Sequence, residues 1–227
     1  MSVRAVPPQA FGAVPELTFA VEGADVLRFA AAPTLAFRLR IESATDAVIR
    51  SLALTTQVRI AVTQRSYDER AQERLVELFG EPSRWRDTLR SLLWTHSTLH
   101  VPPFTGSTVV EMPLTCTYDF DVAAAKYFHA LGEGDVPLEF LFSGTIFYSA
   151  EGGLQTARIP WDKEAQFRLP VRLWKEMMEH YFPGTAWLRL QLDTFDRLYA
   201  YKAGRALTSW DEAIEALLAA AEHEEEP

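Results

Sequence analysis

The chain has 227 residues, 48% of them apolar and 12% aromatic, with a formal net charge of −9 and a pI near 5.1. This apolar content can build a full core, at roughly 25 cal/mol per Å² of surface removed from water, and argues against disorder. The acidic balance, with no basic run, argues against a grip on nucleic-acid phosphates or anionic lipid headgroups, and a single cysteine, Cys116, cannot make an internal disulfide.

Residues 1–15 carry Pro7, Pro8 and Pro15 among small residues and read as an extended arm. The arm holds one arginine and lacks the roughly 7 to 15 apolar residues of a secretory leader, and no stretch approaches the roughly 18 to 20 of a membrane span. The expected location is therefore the cytoplasm. "ELTFAVEGADVLRF" alternates weakly and breaks at Gly23, giving one or two short strands. "TLAFRLRIE" sets Leu35, Phe37, Leu39 and Ile41 two apart, and "RSLALTTQVRIAV" repeats the period through Leu52, Leu54, Val58, Ile60 and Val62. With "SATDA" as a turn between them, the two are expected to be antiparallel neighbours.

From Tyr67 the period becomes helical: Ala71, Leu75, Leu78 and Phe79 share a face, and Gly80 and Pro82 stop it. "SRWRDTLRSLL" predicts a second short helix, capped by Ser83 and carrying Trp85, Leu89 and Leu92. "TVVEMPLTCTYD" returns to a strand, and "DFDVAAAKYFHAL" predicts a helix begun by Asp119 or Asp121 and ended at Gly132. "VPLEFLFSGTIFYS" suits a central strand covered on both faces, with a bulge or bend at Gly144. A turn at "AEGGLQ" and a strand through "TARIPW" complete a hairpin, and "EAQFRL" adds a short strand.

After Pro170 the β-character stops. "PVRLWKEMMEHYF" is a helix with the stripe Leu173, Trp174, Met177, Met178 and Tyr181. A second helix runs through Leu188, Leu192, Phe195, Leu198 and Tyr199. A third has Ser209 and Glu212 as a capping box and Trp210, Ile214, Leu217 and Leu218 as its apolar stripe. The expected organisation is an arm over 1–15, a single domain over 16–221 with a helical lobe from about 170, and an acidic tail over 222–227. The expected fold is α+β: an antiparallel β-sandwich of seven to nine strands, immunoglobulin- or C2-like, with helical insertions and a C-terminal helical lobe.

His96 and His100 in "LLWTHSTLHV" invite a metal-site reading. On a strand they lie on one face about 13 Å apart, at ~3.3 Å per residue, too far to share an ion. On a helix they would have the HExxH spacing, but Ser97 stands where that arrangement needs its glutamate, and Thr95, Thr98, Pro102 and Pro103 disfavour a helix. Cys116 falls in register with Val110, Met112, Leu114 and Tyr118, on the apolar face of its strand, and is expected in the core. Asp119 and Asp121 resemble the DxD of metal-dependent sugar transferases, although a helix cap explains them as well. Ser107 and Ser143 lack the GxSxG turn of a nucleophile, and no GxGxxG, GxxxxGK[ST] or CxxC is present. No cofactor and no metal are expected. Trp161, Trp174, Met177, Met178 and Tyr181 are the candidate interface residues, since aromatic residues and methionine are enriched where proteins meet.

The block "PLTCTYDFDVAAAKYFHALGEGDVPLEFLFSGTIFY", with "LTSWDEAIEALL" near the end, resembles an uncharacterised family of actinobacterial-type proteins over nearly the whole chain. The family has no established activity and so implies no catalytic residue. It implies a genomic context beside nickel–iron hydrogenase genes. The function expected is a non-enzymatic cytoplasmic protein-binding or assembly-accessory module, in hydrogenase maturation or assembly as its specific version. One alternative is a metal-dependent hydrolase or other enzyme assembled from His96, His100, Asp119 and Asp121. Another is a self-associating structural protein that builds a homo-oligomer.

Overall fold

The structure, a computed structural model, describes residues 14–117, 119, 122–151 and 153–225. Most of the expected arm, along with Tyr118 and Asp121, lies outside the described residues. Two compact units divide the chain, one running to Ala186 and one starting at Trp187.

The first unit contains β1 (Leu17–Val26), β2 (Thr34–Ser43), β3 (Ile49–Ile60), α1 (Glu69–Phe79), α2 (Trp85–Thr88), β4 (Leu92–Val101), β5 (Ser107–Thr115), α3 (Ala123–Ala130), β6 (Asp135–Ala150), β7 (Gly153–Arg158), β8 (Glu164–Pro170) and α4 (Val171–Tyr181). All strand pairs are antiparallel. One sheet has the order β1-β2-β5; the other has the order β4-β3-β6, with β7 and β8 both on the free side of β6. Named as in immunoglobulin-like sandwiches, this is A-B-E facing C′-C-F-G, with the G strand in two pieces. The fold is α+β, built on an antiparallel β-sandwich.

The period-two strands explain the layering. Leu35, Phe37, Leu39 and Ile41 of β2 and Leu52, Leu54, Val58 and Ile60 of β3 are all fully buried. They are not neighbours, however: β2 pairs with β1 and β5, while β3 pairs with β4 and β6. The segment between them crosses from one sheet to the other. The two apolar faces bury each other across the sandwich, each strand facing the opposite sheet. Phe19 of β1 stacks on Phe142 of β6 at 4.3 Å, and Phe37 meets Phe140 at 5.3 Å and Phe167 at 5.9 Å, all between the sheets.

Helices close the sandwich. The α1 helix is capped by Asp68, whose carboxylate accepts from the Ala71 N–H at 2.7 Å, and it buries Ala71, Leu75 and Phe79. The expected second helix is a single turn, α2, preceded by a 3₁₀ turn over Pro82–Arg84 that contains Ser83. It stops at Thr88 because Leu92 is drawn into β4 opposite Ile60. Trp85 is buried there, its indole N–H donating to the Gly80 carbonyl at 2.8 Å. The N-cap position of α3 is Val122, with no side-chain cap, so neither expected aspartate occupies it. In α3, Tyr127 and Phe128 are fully buried; Phe128 stacks on Trp174 of α4 at 5.2 Å and meets Trp94 of β4 at 5.0 Å. Tyr67 donates to the Val62 carbonyl at 2.6 Å, which leaves Tyr127 to donate to Tyr67 at 2.8 Å. Burial pushes both phenols above their ordinary value.

Central strand β6 is covered on one face only, since Ser143 is exposed and Glu139, Leu141, Thr145 and Phe147 are half-buried on the other. Gly144 has φ 143°, and a Cβ there would lie 2.0 Å from the Ala53 carbonyl oxygen. The second unit is a helical hairpin, α5 (Leu192–Gly204) and α6 (Trp210–Glu225). The Ser209 hydroxyl accepts from the Glu212 N–H at 3.0 Å, and the Glu212 carboxylate accepts from the Thr208 N–H at 2.7 Å. The expected capping box therefore forms with its return bond one residue early, and the Thr208 N–H and hydroxyl, both donating to it, hold the Glu212 carboxyl below its ordinary range.

Gly144→Ala is expected to lower stability by at least ~2 kcal/mol in urea unfolding, since either the backbone of β3 or that of β6 must shift. Thr56→Val should be neutral or stabilise by up to ~1 kcal/mol in the same assay, because the buried Thr56 hydroxyl has no hydrogen-bond partner in the structure.

Candidate functional site

The G-strand position is where the sheet departs from regularity. The β7 strand pairs with β6 from Thr145 to Ala150, and β8 pairs with it from Asp135 to Leu141. Between these ladders β6 spends three residues, 142–144, while the opposing chain spends five, 159–163. The surplus bulges outward as a turn closed by the Lys163 N–H on the Pro160 carbonyl at 3.4 Å. The turn is anchored on both sides. The Ile159 N–H donates to Gly144 and the Phe142 N–H to the Lys163 carbonyl, at 3.1 and 2.9 Å. Beneath it Ile159 is buried, and the Lys163 ammonium reaches the Glu16 carboxylate at 3.3 Å. Trp161 stands at the crest, 93% exposed. A large indole is thus presented on a turn whose flanking backbone is hydrogen-bonded to β6 on both sides.

The other candidate interface residues have different places. Trp174, Met177 and Met178 are buried, at 3%, 0% and 4% exposure, as the seam by which α4 closes the core. The helix stripe is therefore spent on folding and does not form a surface. Tyr181 is half-buried and acts as a clasp: its hydroxyl donates to the Leu27 carbonyl at 2.6 Å and accepts from the Ala30 N–H at 3.1 Å, tying the β1–β2 loop to α4.

The described residues of the enzymatic alternative are His96, His100 and Asp119. His96 and His100 both project from β4 on the exposed outer face, opposite Gln57 and Ala53, with Thr98 between them. Asp119 lies in the segment joining β5 to α3, its N–H donating to the Thr117 hydroxyl at 3.0 Å, and Asp121 is outside the described residues. Among the described residues no group of three His, Cys, Asp or Glu side chains is placed to hold a metal ion. Cys116 is buried against the core, as its register predicts. Burial pushes its thiol up to about 12.

The sequence reading did not place other exposed aromatic residues at the surface. Phe29, at the tip of the β1–β2 loop, is fully exposed, and in the helical hairpin Trp187 and Tyr199 are exposed with Leu188, Leu192 and Leu218. Phe195, Tyr199 and Trp210 form a ring cluster with centroids 5.4 to 6.4 Å apart. Their helical periodicity predicted a buried stripe; in a unit of two helices there is too little chain to cover it, and among the described residues Ala213 is the one buried hydrophobic of the hairpin. Among the described residues, no helix is long and apolar enough to cross a membrane.

Residues 14–226 match the profile of DUF6084, a family of unknown function, and the chain belongs to that family. Curated proteins supply no match. Solved structures that resemble it include the CARDB domain of PF1109 from Pyrococcus furiosus in complex with di-metal ions, at 12% identity and a TM-score of 0.28, over 69% of this chain and 92% of that one. Another is a putative late embryogenesis abundant protein, At2g46140.1, at 13% identity and a TM-score of 0.31, over 69% and 72%. A third is a β-glucosidase from Kluyveromyces marxianus, at 10% identity and a TM-score of 0.26, over 68% of this chain and 15% of the enzyme. At such similarity no residue or role carries over.

Cys116 should be inert to iodoacetamide at pH 8 in the native protein and alkylated within minutes in denaturant, as read by intact mass. With the folded thiol near 12 against an ordinary 9, about one molecule in ten thousand carries a thiolate at pH 8. The sign for stability follows: the contribution is full below about 9 and is lost as pH rises toward 12, because the unfolded thiol ionises first.

Proposed function

We propose that this member of the DUF6084 family is a non-enzymatic protein-binding or assembly-accessory module, and that the Trp161 turn is the place where it holds its partner. The observation that carries this reading is the 93% exposure of Trp161 on a turn anchored at both ends. Tryptophan is the residue type most enriched at binding hot spots, and a partner that covers it loses little conformational entropy because the backbone is already ordered. The exposed aromatic side chains of the hairpin supply further apolar surface of the kind that interfaces use.

The sandwich acts as a scaffold. Its two strand pieces hold the turn in place, and the reading is supported by the spacing of His96 and His100, about 13 Å along the open face of β4 at ~3.3 Å per residue. The specific version of the function is assembly or maturation of nickel–iron hydrogenase in the cytoplasm, with a hydrogenase subunit or maturation protein as partner. This version rests on the family resemblance of "PLTCTYDFDVAAAKYFHALGEGDVPLEFLFSGTIFY" and "LTSWDEAIEALL", which implies that gene neighbourhood.

Native mass spectrometry of the chain purified gently from its own source, at natural abundance, should show a stoichiometric companion protein. Trp161→Ala should weaken retention of that companion at least tenfold, about 1.4 kcal/mol or more, while the melting temperature stays unchanged. A bare protein, or full retention by the variant, would overturn the reading; a companion from the hydrogenase system would support its specific version.

A further inference from the structure

Among the described residues the outer strand positions are β1 and β5 in one sheet, and β4 and the divided β7/β8 position in the other. All but β4 carry features that block strand addition. The β1 strand has a bulge between Val21 and Gly23 and the carboxylates of Glu22 and Asp25, β5 has Glu111 and Pro113, and the β7/β8 position is broken at Pro160. The β4 strand contains no proline and no Asp, Glu, Lys or Arg. It lies in the longest run without those four charged types, Ser91 to Val110, in a sequence that is 23% charged, so its edge is neutral by composition and not by ion pairing. Among the described residues β4 pairs with β3 alone.

Hydrogen-bond direction fixes which groups of β4 are open. The Phe142 N–H and the Gly144 carbonyl both point away from β3, toward Lys163 and Ile159. Ser143, between them, therefore turns its main chain toward its β3 partner Thr55, and Thr55 turns back toward Ser143. Thr98 of β4 lies opposite Thr55 on the other side, and with the groups of Thr55 spent on β6 this pair exchanges no bond. The N–H and C=O of Thr98 thus face the free side, and by alternation so do those of His96 and His100. The His96 carbonyl accepts from the neighbouring Thr95 hydroxyl at 3.3 Å, a contact that rotation of that side chain releases. On the inner row Leu99 is half-buried, although Leu54 opposite it in β3 is fully buried.

We infer that the β4 edge pairs with β4 of a second copy of the chain, antiparallel, about a two-fold axis at Thr98. This register sets His96 opposite the partner's His100, Thr98 opposite the partner's Thr98 and His100 opposite the partner's His96. Every outward N–H and C=O is then used, two bonds to each pair. The partner's Ser97 comes to lie beside Leu99 and covers it. Neighbouring registers do worse: an axis at Ser97 sets His100 against the partner's Trp94, where the β4 ladder is bulged, and an axis at Leu99 sets His96 against the partner's Pro102, which has no N–H. Two chains of net charge −9 can approach through this edge without opposing carboxylates, and the blocked edges elsewhere close the assembly at two copies. The β4 edge lies on the opposite side of its sheet from the Trp161 turn, so the pairing and the partner-binding reading stand or fall separately.

Sedimentation velocity of the full chain over a concentration series should show a reversible monomer–dimer equilibrium. Thr98→Glu and Thr98→Lys each set a like charge against itself across the axis and should weaken association about tenfold or more, whereas an equimolar mixture of the two variants should restore it, because opposite charges then meet. Thr98→Pro removes a central N–H that the ladder to β3 does not use, and should cause the same loss with the far-ultraviolet circular dichroism unchanged. In the wild type, hydrogen exchange at the His96, Thr98 and His100 amides should slow as the concentration rises. A monomer at every concentration, a dimer indifferent to all three substitutions, or a mixture of the Glu and Lys variants no tighter than either alone would overturn the pairing. Protection of those amides only when a companion protein is added would give the edge to a foreign strand, and overturns it equally.

Discussion

Phe37 leaves β2 for the space between the sheets and meets three rings edge-on: Phe140 and Phe167 from the facing sheet at 5.3 and 5.9 Å, and Trp94 at 6.5 Å. Trp94 passes the packing on to Phe128, and Phe128 to Trp174, so that one line of aromatic contacts runs from the sandwich interior through α3 into α4. Edge-to-face and stacked pairs at these separations each contribute beyond the area they bury, and they fix relative orientation as well as distance. The docking of α3 and α4 is thereby coupled to the sheet-to-sheet spacing. In that docking α4 turns Trp174 and Met178 inward and leaves Lys175 and His180 on its solvent side.

The individual elements were legible in the sequence because each obeys a local rule. Period-two apolar residues marked β2 and β3, a helical face closed by Gly80 marked α1, and the register of Cys116 with Met112 and Leu114 placed it in the core. What local rules do not contain is the choice between neighbouring and facing. The β2 and β3 patterns are equally consistent with side-by-side pairing, and the crossing between the sheets is decided by the core as a whole. The same limit applied to α4. Its Trp and Met stripe has one appearance whether it meets a partner or its own sheet, and the matching surface, Phe128 and Trp94, lies about 46 and 80 positions earlier.

Trp161 illustrates the remainder. Trp161 was visible because proline and a large apolar residue at a strand end conflict with a solvated edge, a contradiction contained in a few residues. Sites assembled from residues scattered along the chain carry no such local signal. Dispersed sites of this kind are reached through geometry alone.

The division of the G strand has a consequence for the protein in a crowded solution. A single unbroken strand opposite the sixteen-residue β6 would present a long, flat row of unpaired amides and carbonyls, a template on which other chains can polymerise as cross-β structure. Two short pieces separated by an outward turn, with Pro160 inside it, offer no continuous ladder of that length. The break that lifts an indole into solvent therefore also protects the edge against aggregation, so the chain can display a sticky side chain without displaying a sticky backbone.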